Sequence, residues 1–296
     1  MTQHTAPLEG CYLMDNIDLL RRLPDGCIDL VYIDPPFGTG QTRRLQSIAL
    51  GAGELTRAGF GAKVYNYTVR SSHQYRDDMP LEEYLDFLNE RLIEVHRALK
   101  PTGSIYLHLD WHVVHYARFM LDAIFGEDRF LNEIIWSYDY GGRARDKWAR
   151  KHDNILWYSK SSRWTYNRDD IERIPYLAPD LVGPEKAVRG KLPTDVWWMT
   201  IVPTNSRERS GYPTQKPLKL LERIVRASSN PGDLVADFFG GSGTTAVAAA
   251  KFNRRYLYVD ENPEALTIAE KRLADVHPHG MTGFTGGSQA PTAPNK

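Results

Sequence analysis

A short apolar run, residues 234–237, leads into Asp237-Phe238-Phe239-Gly240-Gly241-Ser242-Gly243-Thr244, and an alanine-rich stretch, 244–252, follows directly. This reads as strand, glycine turn and helix. Glycines leave no Cβ to hold a ligand away from the backbone, and a helix opening there offers N–H groups with no partners of their own. Such a unit belongs on a parallel sheet, and the rest of the chain supplies one. Short apolar segments at 27–33, 104–109, 131–136, 154–158 and 256–259 read as strands. Helical periodicity covers 81–100, 111–125, 218–227 and 263–276. In the first of these, Leu81, Tyr84, Leu85, Leu88, Leu92, Val95 and Leu99 recur every three or four residues until Pro101 and Gly103 stop the helix. The alternation predicts an α/β fold, a mostly parallel sheet with helices on both faces. After Asp260 only one helix and a loose tail remain, so the glycine unit must borrow its outer strand from elsewhere. Cys11-Tyr12-Leu13-Met14, ending at Asp15, is the candidate. The sheet is then circularly arranged, its glycine-bearing half assembled from both ends of the chain.

At 296 residues the chain is long enough for one large domain or two small ones. Two stretches interrupt the alternation. Residues 37–78 are rich in Gly, Arg and Ser with little periodicity, which suggests a long functional or mobile loop. Residues 141–211 are irregular and rich in Trp, Arg and Pro, which suggests a small inserted region. The expected division is therefore 1–140, the insertion 141–211, 212–276 completing the first part, and a disordered tail over 277–296. Lys and Arg together number 37, as do Asp and Glu, so the body is neutral. Residues 41–76, however, carry six basic side chains against Glu54, and 141–173 carry nine against five acids. Two basic segments on a neutral body can form one phosphate-facing surface, although solvated loops have the same composition. No apolar run approaches the about 20 residues of a membrane helix. Residues 1–10 lack a basic-then-apolar leader, so a cytoplasmic location is expected and no membrane partner. Cys11 and Cys27 form no CxxC pair, and His108, His112, His115 and His152 have no ligand-like spacing, so no metal is expected.

The glycine loop admits two cofactors. Gly241, Gly243 and Ala246 fit the GxGxxA pattern of dinucleotide sites, with Asp260 at about the 20-residue spacing of a ribose-binding acid. That would make the chain an NAD-dependent oxidoreductase. Asp237 argues against it: a carboxylate there would face a pyrophosphate. S-adenosylmethionine presents an ammonium and a sulfonium instead, which a carboxylate attracts.

Asp34-Pro35-Pro36-Phe37 ends the apolar strand at 27–33. Open α/β sheets bind ligands at that edge. The prolines stiffen the backbone and leave carbonyls that no N–H ladder consumes. A carboxylate, a free carbonyl and an aromatic face are what an exocyclic amine on a nucleobase needs. Asp34 and the Pro35 carbonyl can accept its two N–H groups, bending the nitrogen toward tetrahedral geometry and freeing its lone pair. Phe37 can stack on a base that has left the duplex. A proline-stiffened turn ending in Asp is also an ordinary structural feature.

In this order the two motifs resemble the beta class of DNA amino-methyltransferases, which place Asp-Pro-Pro-Tyr/Phe before a target-recognition region and the glycine motif after it. The resemblance runs from Tyr12 to Leu273. It implies a Rossmann-like methyltransferase fold with an inserted recognition region, S-adenosylmethionine as cofactor, and double-stranded DNA as substrate. By the same likeness Asp34, Pro35, Pro36 and Phe37 are catalytic, and Asp34 also borders the cofactor. Tyr212-Pro213-Thr214-Gln215-Lys216-Pro217 resembles the segment closing over the cofactor's methionine end, which assigns Thr214 and Lys216. Asp15 matches the acid near the adenine, although Met14 stands where the family often has Gly. Asp237, Phe239, Gly240, Gly241, Ser242, Gly243 and Thr244 form the loop, and Asp260 the ribose acid. Residues 103–108 resemble the family strand after the amphipathic helix.

For DNA, Arg43 and Arg44 and the run Arg143, Arg145, Lys147, Arg150 and Lys151 are the expected contacts to phosphates or base edges. Trp148, Trp157, Trp164, Trp197 and Trp198 are read as packing residues. The implied reaction is methyl transfer to adenine N6. Cytosine N4 is the near alternative, since it shares the chemistry, but members acting there more often carry Ser in place of Asp34. Cytosine C5 is disfavoured, because neither cysteine follows a proline. A catalytically dead DNA-binding module would have no use for an intact cofactor loop. A homodimer and a cognate restriction endonuclease are the implied protein partners.

Overall fold

The structure is a computed structural model that describes residues 8–36, 43–58, 64–75, 79–141 and 143–276, with 43–58 and 64–75 described as backbone. These fall into two units, Met1–Pro35 with Asn89–Lys296, and Pro36–Leu88.

The larger unit is built on an eight-stranded sheet. Its strands are β1 (Gly10–Leu13), β2 (Ile28–Ile33), β5 (Leu99–Leu109), β6 (Phe130–Ser137), β7 (His152–Ser159), β8 (Val196–Trp198), β9 (Leu234–Asp237) and β10 (Arg255–Asp260). Their spatial order is β1-β10-β9-β2-β5-β7-β6-β8. The first five run parallel. The strand β7 is antiparallel to both β5 and β6, and β8 is parallel to β6. The expected circular arrangement is present: β1 lies outside β10, with Leu13 opposite Asp260.

Helices cover both faces, as the near-continuous apolar runs of β2 and β9 require. On one face Leu30, Tyr32, Tyr106, Trp157 and Val235 form one core. They meet Leu220, Leu221 and Ile224 of α5 (Leu218–Ser228), and Ala248 and Ala249 of α6 (Thr244–Lys251). Residues 244–250 of α6 are all buried, so the helix lies between sheet and neighbours with almost no solvent side, and its run of alanines permits that close approach. Ala265, Ala269 and Leu273 form the buried stripe of α7 (Pro263–Val276), four residues apart. On the other face Tyr158 packs against Phe125 of α3 (Val114–Phe125) at 5.7 Å and donates to Asp122 at 2.6 Å. Here His96 of α2 (Leu81–Ala98) meets Phe125 edge-on at 4.7 Å. Each fully buried Leu, such as Leu220, contributes about 1.5–3 kcal/mol by leaving water.

The smaller unit departs from the loop expected over 37–78. Strands β3 (Arg43–Ala58) and β4 (Val64–Tyr75) pair antiparallel, Arg43 opposite Tyr75 and Ala58 opposite Val64. The β-branched and aromatic residues of 64–69 favour extended backbone, and a two-stranded ribbon needs no helical periodicity. The strand β7 departs from the expected segmentation as well. It falls inside 141–211, yet lies between β5 and β6 and is buried along 154–159. The rest of that stretch is mostly irregular, broken by β8 and the short helix α4 (Pro184–Arg189). The tail 277–296 lies outside the described residues.

Candidate active site

Parallel strands end at one edge, so the ends of β1, β10, β9 and β2 bring Asp15, Asp260, Asp237 and Asp34 to the same rim. The glycine loop hangs from that rim, and its acids shape it. Asp237 is 4% exposed, its Oδ1 accepting the Phe239 N–H at 3.0 Å and its Oδ2 the Thr245 hydroxyl at 2.5 Å. Burial pushes its carboxyl up from 3.8 to about 7, with the Asp34 and Asp260 charges adding to the rise. Asp260 accepts from Gly241 N–H at 2.8 Å and from Asn262 N–H at 2.8 Å, and burial pushes it up too.

The glycines are needed for different reasons. Gly241 and Gly243 have φ of +49° and +75°, where L side chains are strained. A Cβ on Gly243 would stand 2.6 Å from the Cβ of Ala269, and one on Gly240 would run into the Tyr258 ring. Tyr258 in turn donates to the Gly241 carbonyl at 2.9 Å. Arg272 of α7 closes the loop from behind, donating to Ser242 O at 2.7 Å and to Thr244 Oγ1 at 2.9 Å.

The segment before α5 joins the glycine loop to the end of β2. Thr244 Oγ1 donates to the Lys216 carbonyl at 3.2 Å, and Lys216 Nζ forms an ion pair with Asp34 Oδ2. The other oxygen of Asp34, Oδ1, is buried and has no hydrogen-bond partner among the described residues. Beneath Lys216, Asp153 is held low by His108, Lys216 and Tyr138 against the opposing effect of burial. His108 is fully buried, with Nδ1 2.7 Å from the Tyr32 hydroxyl.

At the β1 end Asp15 caps α1 (Asn16–Leu20), accepting the Ile17 N–H at 3.0 Å. Arg91 reaches Asp15 at 3.1 Å and Asn16 at 2.6 Å, and Asn16 donates to the Phe238 carbonyl at 2.7 Å. One network therefore fastens β1 to the glycine loop.

These elements span the length over which a family model described as DNA methylase matches, residues 28–271. The chain belongs to the N6/N4 DNA methylase family. The type II methyltransferase M.HpaI of Haemophilus parainfluenzae is 33% identical over 259 residues, 87% of this chain and 71% of the relative. The DNA adenine methyltransferase YhdJ of Escherichia coli K12 is 28% identical over 279 residues, covering 90% and 82%. Among solved structures, the cytosine-N4-specific PvuII DNA methyltransferase superposes with a TM-score of 0.61 at 18% identity, covering 91% of each chain. That likeness is one of fold. The family takes its methyl group from S-adenosylmethionine.

In this methylase Asp15, Asp34, Lys216, Asp237, Phe239, Gly240, Gly241, Ser242, Gly243, Thr244 and Asp260 lie on or beside this rim, and Thr214 is exposed two residues before Lys216. Pro35 is buried beside Asp34, Pro36 opens the smaller unit, and Phe37 lies outside the described residues. Arg43 and Arg44 sit on β3. Arg143, Arg145, Lys147 and Arg150 are exposed between β6 and β7, Arg150 lying 3.3 Å over the Trp111 ring, while Lys151 donates to the Gly141 carbonyl at 3.0 Å. Three tryptophans read as packing residues, Trp148, Trp164 and Trp198, prove to be exposed. Trp148 is 96% exposed, and Trp198 is 74% exposed because strand alternation turns it outward while Trp197 turns in.

Sequence reasoning missed Arg91, Arg272, Asn16, Tyr212 and Glu261. The two arginines left a signal, since Arg91 falls between Leu88 and Val95 on the apolar stripe of α2, and Arg272 abuts Leu273. A cation on a buried stripe needs a partner. Tyr212 opens the 212–217 motif, whose likeness assigned only Thr214 and Lys216; its ring lies against Gly241, and it is hydrogen-bonded to Asn262. Glu261 is pushed up by burial and by Asp15, making it a third acid near Asp260.

Proposed function

We propose that the protein methylates the exocyclic N6 of adenine in double-stranded DNA, with S-adenosylmethionine held at the glycine loop. The observation that carries this reading is the state of Asp34. One of its oxygens is engaged by Lys216; the other is buried and without a partner among the described residues. An orphaned carboxylate oxygen at a strand end is costly unless a ligand donor completes it. An amine N–H is such a donor.

The residues present fit the cofactor. Gly240, Gly241 and Gly243 make a cradle that a Cβ would distort or fill, and acids ring it. Asp260 and Glu261 would take the ribose hydroxyls, Asp15 the adenine end, and Asp237 and the segment Thr214–Lys216 the methionine end. When bound, the cofactor supplies an electrophilic methyl group. The chain's own part is to hold the target nitrogen. Asp34 Oδ1 and the Pro35 carbonyl accept its two N–H groups, Phe37 stacks on the base, and Lys216 keeps Oδ2 from rotating away. As positive charge develops on the nitrogen, the bond to the Asp34 carboxylate strengthens, which stabilises the transition state more than the ground state.

Asp rather than Ser at position 34, with the likeness to an adenine methyltransferase, favours adenine over cytosine N4. Likeness to a type II methyltransferase supports a cognate endonuclease as a partner, and the family resemblance a homodimer. The deciding experiment incubates unmethylated plasmid DNA with the protein and S-adenosylmethionine, digests it to nucleosides and separates them. N6-methyldeoxyadenosine is expected. N4-methyldeoxycytidine would overturn the base assignment, and unmodified DNA the whole reading.

A further inference from the structure

A cavity away from the carboxylate rim lies between α5 and strands β5, β6 and β7, with a volume of about 330 Å³. None of its lining residues belongs to the candidate active site. Trp157 pairs with Tyr106 and Asn132, toward the Ser104 end of β5, whereas the carboxylate rim lies at the opposite end of the parallel strands. The walls are aromatic. Tyr106 and Trp157 stack at 5.2 Å and 14°, Tyr166 lies 5.6 Å from Trp157, and Trp197 faces the cavity from β8.

Two polar groups in these walls are unexplained. Arg223 Nε and Trp157 Nε1 are buried donors with no hydrogen-bond partner among the described residues, on side chains each 7% exposed. The Arg223 guanidinium lies 4.9 Å over the Trp197 ring. Burial pushes it down to about 10, opposed by Glu172. Glu172 does not satisfy it, because its carboxylate is exposed and paired with Lys219 at 3.2 Å. Arg223 occupies the apolar stripe of α5 beside Leu220, Ile224 and Ala227, where a hydrophobic residue would pack at less cost. A buried cation and a buried indole N–H, lining one aromatic cavity, describe a recognition site for an anion with a flat apolar body.

We propose that this cavity binds a small aromatic monocarboxylate, its ring against the indoles and its carboxylate on Arg223 Nε and Trp157 Nε1. Arg223 is the one cation among the lining residues, which matches a single negative charge; a phosphate ester would call for further donors. The cavity volume suits a molecule of one or two rings. Asp195, also on the lining, is exposed at the rim. Because the walls combine α5 and β7 with residues 166–197, an occupant braces that segment against the sheet.

The test is calorimetric titration of the intact protein with benzoate, in saturating S-adenosylmethionine to keep the cofactor site filled. Saturable one-to-one binding is expected, with benzyl alcohol at least about tenfold weaker for lack of the charge. Arg223→Met should weaken benzoate by at least about tenfold while leaving the melting temperature of the free protein equal or higher, because a desolvated charge is removed. A merely structural arginine would lower it. Trp157→Phe, which keeps an aromatic face but loses the indole N–H, should weaken benzoate several-fold. No saturable binding up to about 10 mM, or benzoate held by Arg223→Met as by the wild type, would overturn the proposal. Should Arg223→Met fail to fold, unchanged affinity in Trp157→Phe overturns it equally.

Discussion

Asp34 and Asp237 end neighbouring parallel strands, β2 and β9, and on sequence alone they look alike. Their surroundings separate them. Asp237 spends both oxygens on its own loop, on Phe239 and Thr245, and is buried. Asp34 has one oxygen on Lys216, a residue distant in sequence, and one with no partner among the described residues. The first acid shapes its own backbone turn; the second keeps one buried oxygen uncommitted among the described residues, which is what the proposed function uses. The difference arises from the residues just beyond each strand. After Asp237 the chain turns back through glycines, so nearby N–H and hydroxyl groups can reach the carboxylate. After Asp34 two prolines remove the donors that would otherwise have capped it.

The largest expected effect breaks this comparison at Asp34. Asp34→Ala should reduce single-turnover methyl transfer by on the order of 100-fold or more while cofactor affinity and melting temperature stay near wild type. A folded variant with near wild-type turnover would make Asp34 a second structural cap. Next in size, Gly241→Leu should abolish measurable S-adenosylmethionine binding by calorimetry, because it combines a left-handed φ with a collision against Tyr212. Unchanged affinity would remove the glycine loop from the cofactor site.

Thr245→Val tests the structural half. It deprives buried Asp237 of a donor and should cost about 1–3 kcal/mol in denaturant unfolding, with the rate of folded, cofactor-saturated enzyme changed far less. The pH dependence sharpens the contrast further. The Asp237 carboxyl is raised from 3.8 to about 7, so between those values the folded protein binds more protons than the unfolded chain. Its contribution to stability is therefore fully present at low pH and declines as pH rises toward 7. The cationic cofactor prefers the ionised form, so its affinity should rise across the same window. Asp237→Asn should flatten both trends; if either persists unchanged, another group is titrating. The smallest effect concerns the basic loop. Replacing Arg143, Arg145 and Lys147 by Ala should lower the salt slope of DNA binding by about one unit for each phosphate that the loop no longer holds. An unchanged slope would make the stretch a solvated loop.

Much of this was legible in the chain. The pattern of residues 234–260 specified strand, glycine turn, helix and strand, and the shortage of strands after Asp260 required β1 to come from the other end. Period and punctuation are local properties and survive in any context. The ribbon of β3 and β4 was not legible, because two strands that pair mainly with each other need no buried apolar face to mark them. Nor was the place of β7. Its apolar run was recognisable as a strand, but its position between β5 and β6 depends on register with residues far along the chain. Glu261 was missed for the same reason, since it carries no motif of its own.

The sequence by itself determined most elements of the larger sheet and its helices, the order of the two motifs, and the family chemistry that residues such as Asp34 and Gly241 imply. Those depend on backbone propensity and on the reactivity of individual side chains, which residue identity dictates. Only the tertiary structure decided which of two similar strand-end acids is satisfied and which is not, that Lys216 lies between the loop and Asp34, and that Arg223 and Trp157 face one cavity without partners among the described residues. Hydrogen-bond satisfaction and burial are properties of groups brought together across more than a hundred residues of chain. No local pattern encodes them, because the same carboxylate or guanidinium is inert or poised according to its neighbours.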